Sequence, residues 1–202
     1  MLIEQLPAFL RCAYRGVTWR KCSQEKIIYL TFDDGPIPEV TPWVLDVLDK
    51  YQIKATFFCV GENVEKYPEV YQEVLKRGHR TGNHTYNHIR GFFTSTKTYL
   101  ENINKASECI DSTLFRPPHG ELRLAQLIEI RKKFEVIQWD VITRDYDNDL
   151  SEQRVLNGVK KYTRNGSIIV FHDSIKAHRN MRFAMPKAVE WLLQEGYEFR
   201  TL

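Results

Sequence analysis

The sequence predicts an α/β domain in which a parallel sheet is wrapped by helices, and three observations carry that expectation. Short apolar runs rich in β-formers alternate with segments of helical period, turn and cap signals fall between them, and no repeat, low-complexity tract or Gly/Ser linker divides the chain. One domain follows.

The first 25 residues stand apart from this alternation. Leu2, Leu6, Phe9, Leu10, Ala13 and Val17 have helical spacing, with Arg11, Arg15, Arg20 and Lys21 nearby and Pro7 interrupting the run. We read residues 1–25 as an N-terminal segment docked on the domain formed by 26–202, the competing reading being a membrane-surface anchor.

Seven strands are expected, at 27–32, 55–60, about 79–82, 114–116, 136–139, 167–172 and 197–201. Between them, Thr41 with Pro42 marks one helix start as N-cap and first helical residue, and Thr98 with Glu101 reads as a capping box. The apolar spacing agrees: Val44, Leu48 and Tyr51 share one face, as do Tyr99, Ile103, Ala106 and Ile110, and again Val155, Val159 and Tyr162. Gly78 and Gly196 fit helix stops, and 140–150 and 173–185 read as long loops.

Composition removes several classes of function. The net charge is only +3 and the basic residues are spread along the chain, which gives no nucleic-acid footprint. No apolar run approaches the roughly 20 residues of a bilayer span, and the start lacks a secretory signal pattern, so the expected location is the cytoplasm. Cys12, Cys22, Cys59 and Cys109 form no C-x-x-C pair and are expected to be free thiols.

Chemistry concentrates just after the strands. The run IIYLTF leads into Asp33-Asp34-Gly35-Pro36, so two adjacent carboxylates leave a strand end in different directions. One can bind a metal while the other stays free to accept a proton, which suits metal-assisted hydrolysis. Read alone, the same residues form an Asp-rich turn capping the next helix.

His84 and His88 are four residues apart, able to face the same way on one helical turn and chelate one ion. Spacing alone is weak: six histidines in 202 residues give about 0.17 such pairs by chance. Together with Asp34, however, they supply two imidazoles and a carboxylate, a set that binds Zn²⁺ in hydrolases and Fe²⁺ in oxygenases. Arg116-Pro-Pro-His-Gly120, Trp139-Asp140 through Asp145-Tyr146, and Phe171-His172-Asp173 also follow expected strands. Five polar clusters at one end of one sheet outweigh the separate readings of Arg116 as a surface cation and His172 as a core histidine.

These residues resemble the polysaccharide deacetylase (NodB-type) family, the fourth family of carbohydrate esterases. TFDDGP at 31–36, GNHTYNH at 82–88, RPPHG at 116–120, Trp139 through Asp145, and FHDS at 171–174 match its five motifs in order, and 54–70 is also similar. The resemblance implies a distorted seven-stranded (β/α) barrel and removal of N-acetyl groups from an N-acetylhexosamine-containing glycan or glycan precursor. It implies Asp34, His84 and His88 as ligands of a divalent metal, Zn²⁺ first, with Co²⁺ or Ni²⁺ as alternatives. Asp33 matches the general base, Arg116 the residue that orients it, His172 the general acid and Asp145 the carboxylate that tunes that acid. His119, Trp139, Tyr146 and Val170 are the expected substrate contacts. His119 stands where the family usually carries Tyr, and Tyr146 where it usually carries Trp.

Other functions stay open at this point. The same machinery suits an O-acetyl (acetyl xylan type) esterase, a barrel without turnover would be a glycan-binding module, and an Fe²⁺ oxygenase uses the same three ligands. Against the binding module stand both Asp33 and His172, which a binder does not require.

Overall fold

The structure, a computed structural model, describes Gln5, Pro7, Arg11 and residues 14–202. Leu2, Leu6, Phe9, Leu10, Cys12 and Ala13 lie outside the described residues, so the helical stripe read there is not addressed. Val17, its last member, is not helical. Gly16 turns the chain at φ 81°, and the β-branched pair Val17–Thr18 forms strand β1 against Val136 and Ile137.

The strands that follow are β2 (Ile27–Asp33), β3 (Thr56–Cys59), β4 (Arg80–Asn83), β5 (Leu114–Phe115), β6 (Glu135–Ile137), β7 (Val141–Ile142), β8 (Ile168–His172) and β9 (Glu198–Phe199). Their order is β1-β6-β5-β4-β3-β2-β8-β7, every pairing is parallel, and β9 adds to the start of β2. The sheet curls into a half-barrel wrapped by helices, the distorted (β/α) barrel that the sequence predicts. Two strands, β1 and β7, join the seven that were expected. Each has two residues, too short for a period to show.

Seven α-helices are described: α1 (Thr41–Lys50), α2 (Gly61–Lys66), α3 (Pro68–Lys76), α4 (Thr96–Ala106), α5 (Leu124–Ile130), α6 (Glu152–Tyr162) and α7 (His178–Gln194). The expected apolar faces are the buried ones, with Val44 and Leu48, Tyr99, Ile103 and Ala106, and Val155 and Val159 all facing the core. Gly78 and Gly196 end their helices at φ 78° and 80°, each with the following N–H reaching back to the carbonyl five residues earlier.

Three boundaries differ from the sequence reading. Thr41 is the first helical residue, not the N-cap, because its hydroxyl is taken by Asp173 at 2.6 Å and by the Ile37 N–H at 2.8 Å. Ser95, not Thr98, caps α4, accepting the Thr98 N–H at 3.2 Å. α7 starts at His178, within the segment read as a loop, and runs through Pro186. Its buried face of Met181, Ala184, Met185, Ala188, Val189 and Leu192 recurs at helical intervals, and that packing outweighs the N–H that Pro186 cannot donate.

The interior between sheet and helices is aromatic. Phe32 on β2 stacks on Phe57 of β3 at 4.9 Å between ring centroids and lies 6.3 Å from Phe171 of β8, all three buried. Truncating one such ring leaves a cavity costing roughly 3–5 kcal/mol, so these rings fix the spacing of β2, β3 and β8. Parallel pairing then has a direct functional result. Asp33 is in register with Phe58 and His172, Cys59 with Asn83, and Asn83 with Phe115, so the residues ending these strands reach one rim together. No helix of the described residues is long and apolar enough to cross a membrane.

His79, just before β4, is buried at the opposite rim and accepts the Ala55 N–H at Nδ1 over 3.2 Å. Burial, helped by the nearby Lys54 cation, lowers its pKa to about 4, so the folded chain keeps it neutral while an unfolded chain protonates near 6.5. Stability from this group is therefore complete above pH 6.5 and is lost as pH falls from 6.5 towards 4, by about 2–3 kcal/mol. In urea unfolding at pH 7 and pH 4.5, His79→Gln, whose amide oxygen can take the Ala55 N–H without titrating, should lose less stability than wild type. Equal losses would remove His79 as the source.

Candidate metal centre and active site

At the carboxyl rim the chain leaves β2 at Asp33 and turns at Asp34, whose φ is 83°. The turn is held from behind by Asp173, which follows β8: its carboxylate accepts the Gly35 N–H at 3.1 Å and the Thr41 hydroxyl at 2.6 Å. A Cβ at Gly35 would lie 2.0 Å from that carboxylate, so glycine is required there. Asn63 of α2 donates to the Asp34 carbonyl at 2.8 Å. Burial, against the Thr41 hydrogen bond and with the Asp34 charge adding, pushes the Asp173 carboxyl up to about 8.

The two histidines do not share a helical turn. Residues 84–88 form an irregular loop after β4, with φ at 65° for Thr85 and 58° for His88. The Thr85 and Tyr86 N–H groups are taken by the side chains of Asn83 and Asn102, both at 2.8 Å, which diverts the backbone from a helical ladder. The loop nevertheless brings both rings to Asp34. His84 Nε2 is 3.8 Å and His88 Nε2 3.2 Å from Asp34 Oδ1, and one donor atom from each residue lies within 4.8 Å of the others.

An ion bound at about 2.0–2.2 Å needs tetrahedral donors roughly 3.3–3.6 Å apart, close to what these side chains offer. The protonation states fit as well. His84 Nδ1 lies 2.8 Å from the Arg116 carbonyl, which only accepts, so this nitrogen carries the proton and Nε2 presents its lone pair. Burial lowers the His84 pKa to about 4 and keeps the ring neutral. Burial works against the Asp34 carboxylate, yet the His88 hydrogen bond and the charge of His172 outweigh it and hold the carboxyl below its usual range. Asp34, His84 and His88 can therefore hold a metal ion.

Asp33 faces a different partner. The Arg116 guanidinium, fully buried, donates to Asp33 Oδ1 at 2.6 Å, to the Thr31 hydroxyl at 2.8 Å and to the Gln138 carbonyl at 3.1 Å, and lies 4.0 Å from the Phe58 ring centroid. On the neighbouring strand β8, in register with Asp33, His172 Nδ1 is 2.7 Å from Asp145 Oδ1, and Asp145 Oδ2 accepts the His172 N–H at 2.9 Å. Burial disfavours an imidazolium here, but the charge and hydrogen bond of Asp145, with Asp34 and Asp33 adding, raise the His172 pKa to about 9. Tyr146 meets His172 edge-on at 4.8 Å.

One cavity of about 590 Å³ joins these groups, lined by Asp33, Asp34, His84, His88 and His172 and walled by His119, Trp139 and Tyr146. His119, at φ 58°, stands with its ring 4.7 Å from that of His88. Arg116 and Asp145 lie behind the wall. Val170 is the expected residue that the structure keeps out: two positions before His172 on β8, it is fully buried and no part of the cavity surface. Sequence reading missed Arg90, Glu121 and Lys176 on the wall, and it assigned no role to Arg144 and Ser174 on the wall or Asp173 behind it, although these three fall within its motif segments. Asp173 had a signal, its place beside His172. The others lie on loops, where no period marks them.

The sequence profile described as Polysaccharide deacetylase matches residues 20–138. A peptidoglycan-N-acetylglucosamine deacetylase of Bacillus cereus is 34% identical over 194 residues, 92% of this chain and 91% of that protein. The peptidoglycan-N-acetylmuramic acid deacetylase PdaC of Bacillus subtilis is 34% identical over 88% of this chain, which spans only 38% of that longer protein. Among solved structures, the Bc1960 peptidoglycan N-acetylglucosamine deacetylase superposes with a TM-score of 0.90 at 31% identity, covering 98% of this chain and 95% of the other.

The His172–Asp145 contact yields a direct measurement. In cation-free protein, Asp145→Asn should lower the midpoint of the His172 imidazole, followed by NMR, by roughly one to three pH units, since an adjacent carboxylate is worth that much. A midpoint equal to that of wild type would show that Asp145 does not set it.

Proposed function

Because this chain belongs to the polysaccharide deacetylase family, we propose that it is a metal-dependent hydrolase removing N-acetyl groups from an N-acetylhexosamine-containing glycan or glycan precursor. The observation that carries this reading is that two ion pairs, anchored at register-paired positions of the neighbouring strands β2 and β8, reach one cavity together. Asp33 is held by Arg116 and His172 by Asp145, and Asp34, His84 and His88 line the same cavity.

Those three residues would hold the cation, with Zn²⁺ favoured by two imidazoles and one carboxylate and Co²⁺ or Ni²⁺ compatible with the same donors. When bound, a divalent cation supplies Lewis acidity towards the acetyl carbonyl and lowers the pKa of water. Asp33 accepts the proton of the attacking water. Its hydrogen bond to Arg116 leaves Oδ2 as the freer oxygen and fixes the carboxylate plane. Arg116 touches no cavity surface, so its part is to position Asp33.

An amide releases its nitrogen only after that nitrogen is protonated, so the reaction needs an acid as well as a base. His172 supplies it. Nδ1 is committed to Asp145, which leaves the Nε2–H to donate to the departing sugar amine. His119, Trp139 and Tyr146 shape the walls against which the sugar ring is held.

Acetate release from N-acetylchitooligosaccharides and peptidoglycan fragments, measured with Zn²⁺ or Co²⁺ present, tests the proposal. Wild type should release acetate, chelation should abolish it, and Asp33→Asn and His172→Ala should each lower kcat by roughly 10²–10⁴-fold, the usual contribution of an acid or base. Stoichiometric cation binding without acetate release from any of these substrates would defeat the reading.

A further inference from the structure

Just outside the cavity an aromatic ring is held in water. Arg90 forms part of the cavity wall, and its Nε donates to both carboxylate oxygens of Glu121, another wall residue, at 3.1 and 3.2 Å. On its far side the same guanidinium lies 4.9 Å from the ring centroid of Phe93. Phe93 is 76% exposed, the most exposed of the large hydrophobic residues described.

The turn that presents this ring, a short 3-10 helix at Gly91–Phe93, is fastened from beneath. Gln126 Nε2 donates to the carbonyls of Gly91 at 2.9 Å and Thr94 at 3.2 Å, and Arg123 Nε donates to the Phe92 carbonyl at 3.0 Å. A Cβ at Gly91 would lie 2.3 Å from the Glu121 carbonyl oxygen, so the turn sits directly on that backbone. Folding gains nothing from a phenyl ring left in water. Pinned on its turn and resting on a residue of the cavity wall, the ring offers an exposed apolar surface to a ligand that extends out of the cavity.

We infer that Phe93 carries the sugar next to the one whose acetyl group enters the cavity and so sets the preference for longer substrates; this rests on the deacetylase reading above. A pyranose suits the place because it offers an apolar face of C–H groups to the ring and hydroxyls at its edge to Arg90 and Glu121. Continuity selects the occupant: Arg90, which contacts the Phe93 ring and is paired with Glu121, is itself part of the cavity wall. A membrane surface would bring the Glu121 carboxylate down with the ring, against its charge.

The test is the ratio of kcat/KM for penta- over di-N-acetylchitooligosaccharide, with metal-loaded enzyme. Phe93→Ala should lower that ratio roughly three- to tenfold, as expected for one lost aromatic contact, with the change in KM, while Phe93→Trp keeps it. Substitution at this exposed position leaves the core intact, and melting temperature checks it. Wild type turning over both oligomers with a ratio that Phe93→Ala leaves unchanged overturns this inference alone. Wild type releasing no acetate from either overturns the deacetylase reading and this with it. Loss of binding to anionic phosphatidylglycerol vesicles in Phe93→Ala, with the ratio unchanged, overturns it in favour of a membrane contact.

Discussion

A guanidinium that no solvent reaches sits at the centre of this molecule, and much of the site is arranged around it. Arg116 cannot shed its charge, so burial obliges the fold to supply acceptors: Asp33 and Thr31 from β2 and the Gln138 carbonyl after β6. The same residue acts through its main chain. Its N–H is bonded to the Asn83 carbonyl at the end of β4, and its own carbonyl takes the Nδ1 proton of His84. One residue thus fixes both the carboxylate read as a base and the lone pair of an imidazole read as a ligand. Removing one partner from such a pair strands the other, typically at about 3–5 kcal/mol, which ties the integrity of the core to that of the site.

The electrostatics divide the cavity into halves of opposite tendency. At Asp34 the histidine contacts overcome burial and favour a carboxylate, while at His84 burial favours a neutral imidazole, and these are the forms that bind cations. Around His172 the Asp145 charge overrides burial and favours the proton-bearing form. Both tendencies arise from groups fixed by backbone contacts, such as the His172 N–H on Asp145 and the Arg116 carbonyl on His84. The halves are preorganised before any substrate enters.

The sequence disclosed some of this and hid the rest for physical reasons. Strands β2, β3 and β8 were legible because they are buried on both faces and read as continuous apolar runs. Asp33, Asp34, His84, His88 and His172 were legible because polar residues ending such strands contrast sharply with them. The two-residue strands β1 and β7 left no pattern to read. The conformation of 84–88 was misjudged because four-residue spacing matches a helical turn, whereas side chains of Asn83 and Asn102 bend this backbone another way. Asn102 is distant in sequence, and no local rule announces it. Val170 was misplaced for a related reason: adjacency to His172 along the chain is not adjacency to the cavity.

The irregular path of the loop that carries the two imidazoles matters beyond its geometry. In a helix their separation would be dictated by the rise of the backbone, and any change of ionic radius would have to be absorbed by side-chain torsions alone. Here His88 hangs from a left-handed residue three positions beyond another, Thr85, so small backbone rotations adjust the bite. Were a cation held there, selectivity among ions of similar charge would depend on how stiffly Asn83 and Asn102 tether this segment, through amides that stand outside the three-residue ligand set.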